Sequence, residues 1–223
     1  MSASDCAIQE LLRSLPSLKG PFQCPDLTTF PPTPHEAFTD WLKFAIDNDI
    51  KEPHAMTLST VDEHGFPDAR VLILKNLDQR GWHFAIKADS PKGKQIVNNP
   101  AVALTFYWPE VGRQIRIRGQ AVPLPAEECA RDFLERPAGS KATALASKQS
   151  AVLEDRATLN EQFRKAQEKV AEDSDFVSET WKVFAVAARS AEFWQGATDR
   201  MHQRLRYETV DAGEHWVQQM LYP

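Results

Sequence analysis

Cysteine is scarce in this 223-residue chain, and the three present, Cys6, Cys24 and Cys129, are odd in number and far apart. That spacing fits neither a disulfide framework nor a paired metal knuckle, so reduced structural thiols are expected. No stretch approaches the roughly 18 consecutive apolar residues that a membrane-crossing helix needs. The N-terminus also has no charged segment followed by an apolar one, which points to a cytoplasmic protein without a membrane partner. The nine glycines form neither a dinucleotide fingerprint nor a phosphate loop ending in Gly-Lys-Ser/Thr. A zinc-type His-Glu-x-x-His is missing, and the six histidines, at positions 35, 54, 64, 83, 202 and 215, show no ligand spacing with carboxylates or cysteines. No metal is expected. Positive charge is not in excess either: a formal net charge of −5 argues against nucleic acid as the main partner. There is no internal repeat.

What is present is an ordinary globular composition, 42% hydrophobic and 26% charged, over a length that suits one core. Residues 20–34 carry five prolines and no helical or strand period. Residues 1–32 are therefore read as an extended N-terminal arm and residues 33–223 as a single domain. Thr33, Pro34 and Glu36 stand as N-cap, first helical residue and N3, predicting a helix to residue 49 whose Phe38, Trp41, Leu42, Ala45 and Ile46 form one apolar stripe. The period then changes. Met56, Leu58 and Thr60 alternate ahead of the turn Asp62-Glu63-His64-Gly65, and strands follow over 70–74, 82–87, 102–108 and 114–122. Five consecutive strands predict a closed or nearly closed barrel. Peripheral helices are expected over 126–135, stopping at Arg136-Pro137, and over 153–171. Strand character returns from Trp181 through Phe184, Val186, Phe193 and Trp194, then over 205–209 and 215–220. The fold class is α+β, mainly antiparallel.

Cations and amides placed in apolar strands mark where chemistry can sit. Arg70 and Lys75 bracket Val71-Leu72-Ile73-Leu74. Gln114, Arg116 and Arg118 alternate with Ile115 and Ile117, so all three project from one strand face, towards either solvent or an anionic ligand. Ser90 and Pro91 begin a helix whose amide terminus, beside Lys92, suits a phosphate, although a plain helix start reads the same way. Arg200, His202 and Arg204 share a face if their segment is extended, which fits an anionic ligand or a solvated edge strand.

Four strings, Arg70-Val-Leu-Ile-Leu-Lys75, Lys148-Gln149-Ser150, Glu192-Phe-Trp-Gln-Gly196 and Arg200-Met-His202-Gln-Arg204, resemble the pyridoxamine 5'-phosphate oxidase family in sequence, order and spacing, from about residue 37 to the C-terminus. The resemblance implies a split β-barrel homodimer with FMN at the subunit interface. It implies that Arg70 and Lys92 hold the FMN phosphate, that Val71, Leu72 and Ile73 pass along the flavin, and that Gln114, Gln149, Ser150, Trp194 and Arg204 complete the cofactor site. Lys75, Arg136 and Ser140 would grip the phosphate of a B6 vitamer substrate, with Arg200 and His202 over the reacting face. The implied reaction oxidises that substrate to pyridoxal 5'-phosphate and reduces O2 to H2O2. An FMN oxidase of the phenazine-biosynthetic branch and a flavin-binding module without turnover are the alternatives. Departures from the family gather around phosphate. Asp132 replaces a usual tyrosine, where it would repel phosphate unless it pairs with Arg136 or points away. Pro91 replaces an arginine, and Ala85-Ile86 a more polar pair.

Overall fold

The computed structural model describes residues 3–211, 213 and 215–223, and of residues 3–6 the backbone alone; the Cys6 thiol lies outside the described side chains. The first finding is a correction. Residues 1–32 are not extended throughout: Ala3–Ser14 is a helix, α1, and Leu27–Thr29 a 3-10 turn capped by Asp26. Ile8, Leu11, Leu12 and Leu15 recur at helical spacing in or beside α1, and all are exposed. The expected helix is α2 (Pro34–Asp47). The Thr33 hydroxyl accepts from the Glu36 amide at 3.3 Å and donates to the Glu36 carboxylate at 2.8 Å. Ala37, Phe38, Trp41 and Ala45 bury its inner face, whereas Ile46 falls outside the stripe and is exposed.

Strands β1 (Ala55–Val61), β2 (Pro67–Ile73), β3 (Asn76–Asp78), β4 (Gly81–Lys87), β5 (Ala101–Trp108), β6 (Arg113–Pro123), β7 (Trp181–Gln195), β8 (Gln203–Thr209) and β9 (Trp216–Leu221) form one antiparallel sheet. Among the described residues the barrel thus uses nine strands rather than five consecutive ones. Its order is β2-β1-β5-β6-β7-β4-β3, with β8 and β9 continuing from β7. β7 organises this arrangement. One edge follows β6 along its length, across an irregularity at Arg118/Gly119; the other edge pairs first with β4 and then with β8. A strand shared in this way curls the sheet and splits it, which is the split-barrel fold. Phe38, Trp82, Phe84, Phe106, Phe193 and Tyr207 fill the inside, all with essentially no exposure.

Helix α3 (Pro91–Asn98) lies between β4 and β5, and α4 (Ala126–Leu134), α5 (Ala138–Ala146) and α6 (Arg156–Glu172) lie between β6 and β7. The sequence reading has no helix at α5, because its sequence AGSKATALA carries no amphipathic stripe. Among the described residues no helix is long and apolar enough to cross a membrane. Cys24 and Cys129 are free thiols; Cys129 is buried, and its Sγ accepts from the Val183 amide at 3.3 Å.

Candidate active site

The first cluster forms where β4 runs into α3. The Ser90 hydroxyl caps the helix, accepting from Gly93 N at 3.3 Å and donating to Lys87 O at 2.7 Å. A Cβ on Gly93 would stand 2.4 Å from Ala88 O, so glycine lets the first turn of α3 press against the end of β4 and enclose Lys92, which is 6% exposed. Lys92 Nζ donates to Gln149 Oε1 at 2.7 Å. The Gln149 segment is held in turn by Lys87, whose ammonium donates to Ser147 O. Arg70 arrives from β2: its Nη1 donates to Thr60 Oγ1 at 2.7 Å, and its Nη2 donates to Gln95 Oε1 at 3.3 Å and pairs with Asp68. Burial, and then the Arg70 charge, hold the Lys92 pKa below its ordinary value, with Asp68 acting the other way. Two cations beside a helix N-terminus, one of them desolvated, make a site suited to a dianion.

On the same edge strand Val71 and Ile73 are 68% and 45% exposed, while Leu72 packs against the core. The face of β2 that carries Ala69, Val71 and Ile73 is therefore apolar and exposed, opposite the face of Asp68, Arg70 and Leu72, and it suits an apolar ligand or another chain. Ser150 adopts a left-handed backbone (φ 69°) in the turn after Gln149.

A second group lies across β6, β7 and β8, where Gln114, Trp194 and Arg204 stand opposite one another on one rung. Gln114, Arg116 and Arg118 do share the outer face of β6. Glu192, itself buried, accepts from Arg204 Nε at 3.0 Å and Nη2 at 2.8 Å, and also pairs with Arg116. Beyond the rung, the reading of Arg200, His202 and Arg204 as alternating on one face is corrected. Arg200 is left-handed (φ 68°) and the His202 amide donates back to Arg200 O at 2.9 Å, so a turn separates these two from β8. The turn leaves the His202 ring 4.9 Å from Trp194, with Nδ1 accepting from the Ala197 amide at 3.0 Å. The arm reaches this loop: Arg200 Nη2 donates to Ser17 Oγ at 3.3 Å, and Leu18 lies against Gly196.

The third cluster joins the end of β2 to α4. Lys75 Nζ stands 3.0 Å from Asp132 Oδ1, and Trp181 Nε1 donates to Asp132 Oδ2 at 2.8 Å. The Arg136 guanidinium lies 3.8 Å over the face of the same indole, and its Nη2 donates to Ser140 O at 3.0 Å. Its Nε is buried without a hydrogen-bond partner, and burial lowers its pKa, opposed by Asp132. Asp132 thus neither points away nor forms its pair with Arg136; Lys75 takes it. The cluster is braced by Arg80, which bonds Asp78 at the end of β3 and Glu128 on α4, the latter at 2.6 and 2.9 Å. Two open cavities, of about 340 and 360 Å³, lie elsewhere, lined respectively by the arm with Arg113 and by α2 with Leu77 and Asp78.

Residues 42–169 match the family described as pyridoxamine 5'-phosphate oxidase, and residues 181–223 match the pyridoxine 5'-phosphate oxidase C-terminal dimerisation region. The chain belongs to the pyridoxamine 5'-phosphate oxidase family. Within that family it is 39% identical over 191 residues to the pyridoxine/pyridoxamine 5'-phosphate oxidase of Salinibacter ruber, covering 85% of this chain and 89% of the relative. It is 41% identical over 181 residues to the enzyme of the same name from Burkholderia mallei, covering 81% and 84%. Among solved structures it is similar to PhzG from Burkholderia lata in complex with tetrahydrophenazine-1-carboxylic acid, with TM-score 0.85, 30% identity and coverage of 92% and 100%. An FMN-binding protein from Nostoc punctiforme related to the same family, at 14% identity and TM-score 0.69, shares the fold, with coverage of 86% and 98%.

The sequence reading of this family member missed Asp68, Gln95, Thr60 and Glu192, each of which fixes a candidate ligand-binding arginine. Only Glu192 left a trace, as a carboxylate inside the run Ala191-Glu192-Phe193-Trp194.

Proposed function

We propose that the protein is a cytoplasmic, homodimeric, FMN-dependent oxidase that converts pyridoxamine 5'-phosphate and pyridoxine 5'-phosphate to pyridoxal 5'-phosphate, reducing O2 to H2O2. The observation that carries this reading is the enclosed Lys92 beside Arg70 at the start of α3, in a chain about 40% identical to oxidases of that name over most of its length. The residues fit FMN. Lys92 and Arg70 suit its phosphate, the exposed Val71 and Ile73 edge with Leu72 suits the flavin ring, and Gln114, Gln149, Ser150, Trp194 and Arg204 supply amides, a hydroxyl, an indole and a cation. Both subunits build each site in this reading, with residues 181–223 as the dimerisation region.

FMN, when bound, supplies the two-electron chemistry between substrate and O2. The chain's own residues bind and orient. Lys75, Arg136 and Ser140 take the substrate phosphate, while Arg200 and His202 position the pyridine ring. The Ala197 amide occupies Nδ1 of His202, so the neutral ring carries its proton on Nε2 and offers a donor there.

Aerobic turnover of FMN-loaded protein with the two vitamer phosphates tests the proposal: aldehyde and peroxide are expected in equal amounts. Bound flavin with neither product overturns it. A second reading, an oxidase of a cyclic carboxylic acid, draws on the Lys75–Asp132 pair and on the ligand of PhzG; turnover of such an acid in place of the vitamers selects it. Flavin bound without turnover of either class leaves a flavin-binding module.

A further inference from the structure

We propose that Asp132 is a specificity-determining residue that weakens the substrate anion pocket for phosphate by competing for Lys75. The inference rests on the reading of Lys75, Arg136 and Ser140 as the substrate's anion site. The two cations of this pocket are not equivalent. Lys75 is ion-paired at 3.0 Å, and its carboxylate partner is held in place by the Trp181 indole on its other oxygen, at 2.8 Å. Arg136 touches the same indole through its face, donates to a backbone carbonyl rather than a carboxylate, and keeps a buried Nε without a partner. Trp181 therefore serves both groups, presenting its N–H to the anion and its π face to the cation.

Lys75, Arg136 and Asp132 together bring one net positive charge instead of two. A phosphate monoester carries about −1.5 to −2 charge at neutral pH. To reach Lys75 it must share the ammonium with Asp132 or displace a carboxylate that the indole retains. Displacement is further opposed by the brace from β3 through Arg80 to Glu128, which keeps α4 in register with Lys75. A ligand with a singly charged carboxylate loses less, because Arg136 alone can balance it. The penalty falls on an end of the substrate that does not react, so it acts on binding in the ground state and the transition state alike and shows in KM rather than in kcat.

Asp132→Asn is the decisive variant, because it removes the charge while keeping an oxygen for Trp181 Nε1. In FMN-loaded enzyme the KM for pyridoxine 5'-phosphate is expected to fall about tenfold with kcat within about twofold, and the inhibition constant of inorganic phosphate to fall in parallel. A purely structural role for Asp132 would lower thermal stability and leave phosphate inhibition where it was. An unchanged or raised KM together with unchanged phosphate inhibition overturns the proposal. Lys75→Gln gives a second reading: it should raise KM more in the Asp132→Asn background than alone, and equal losses in both backgrounds overturn the competition. If neither vitamer phosphate is turned over, the oxidase reading fails separately. Calorimetric titration of the FMN-loaded protein with inorganic phosphate then decides Asp132, tighter binding by Asp132→Asn supporting the proposal and equal binding overturning it.

Discussion

The anion-site candidates of the clusters at α3 and α4 are one lysine and one arginine each, but they are paired in opposite ways. At α3 the arginine carries the carboxylate: Arg70 pairs with Asp68, while Lys92 is enclosed against the oxygen of an amide, Gln149. At α4 the lysine carries it: Lys75 pairs with Asp132, while Arg136 is stacked on Trp181. In both clusters burial lowers the pKa of the cation that is not ion-paired. A desolvated cation gains most from an incoming anion, because its charge is already costly and poorly screened. The paired cation has less to gain. On the proposed reading of the two anion sites, Lys92 and Arg136 would therefore be the principal grips, with Arg70 and Lys75 as partly neutralised auxiliaries.

The largest effect is expected outside both clusters, and it separates binding from chemistry. Arg200→Ala should keep flavin bound and leave the KM for vitamer phosphate nearly unchanged, while kcat falls by about 1000-fold. Single-turnover kinetics with a flavin absorbance readout checks this. Turnover at the parent rate removes Arg200 from the reacting face.

Next comes the ranking within the α3 cluster. Lys92→Met should weaken FMN binding about 100-fold, and Arg70→Ala about tenfold, since Asp68 already offsets part of the Arg70 charge. Flavin fluorescence titration gives both constants. The reverse order breaks the comparison, and stoichiometric flavin in both purified variants refutes the phosphate assignment itself.

The two clusters were also unequally legible in the sequence. Arg70 stands out because a cation beside an apolar run is unusual, Lys92 because Ser90 and Pro91 signal a helix start next to it, and Gln149 only through the family resemblance; the alternation of β1 and β6 is legible as well. Their partners Thr60, Asp68 and Gln95 carry no such signal, since pairing across β1, β2 and α3 is decided by register and helix docking. Asp132 was legible as a misfit, but its partner was not. The two outcomes open from sequence are a pair with Arg136, four residues on, or a side chain that points away, yet α4 ends at Leu134 and Arg136 lies beyond the last turn, where helical spacing no longer applies. The Trp181 indole, 49 residues away, holds the other carboxylate oxygen instead. Likewise β3, with three residues, is too short to show a period, and the double pairing of β7 is a non-local property.

A smaller effect sharpens the desolvation argument through pH. The folded pKa of Lys92 lies below the ordinary 10.5, so between those two values the unfolded chain binds more protons than the folded one. Stability of the flavin-free protein from this residue therefore rises as pH increases through that window, and is lowest below it, where the buried ammonium is fully charged. Lys92→Met should flatten this alkaline rise in chemical denaturation curves. Adding FMN should do the same, because a phosphate beside the ammonium restores its preference for charge. A rise that persists in Lys92→Met assigns it to another group.

The smallest effect concerns the brace that keeps the α4 cluster in register. Asp78 is held at about 2, first by its bond from Arg80, with His83 adding a lesser contribution. Its folded pKa is depressed below 3.8, so the stability it contributes is complete above that value and is lost as pH falls through about 2. Because Asp78 and Arg80 are both partly exposed, the contribution after solvent screening is under about 1 kcal/mol. Asp78→Asn should remove this acid-dependent component between about pH 4 and pH 2 and change stability at pH 7 only slightly. Loss of the brace should also let α4 move relative to Lys75. At pH 7 the variant is then expected to show a modestly lower KM for vitamer phosphate, in the direction of Asp132→Asn and smaller than it. If Asp78→Asn instead raises KM, the brace holds Lys75 towards the substrate rather than towards Asp132, and the contrast between the two clusters lies in geometry more than in charge.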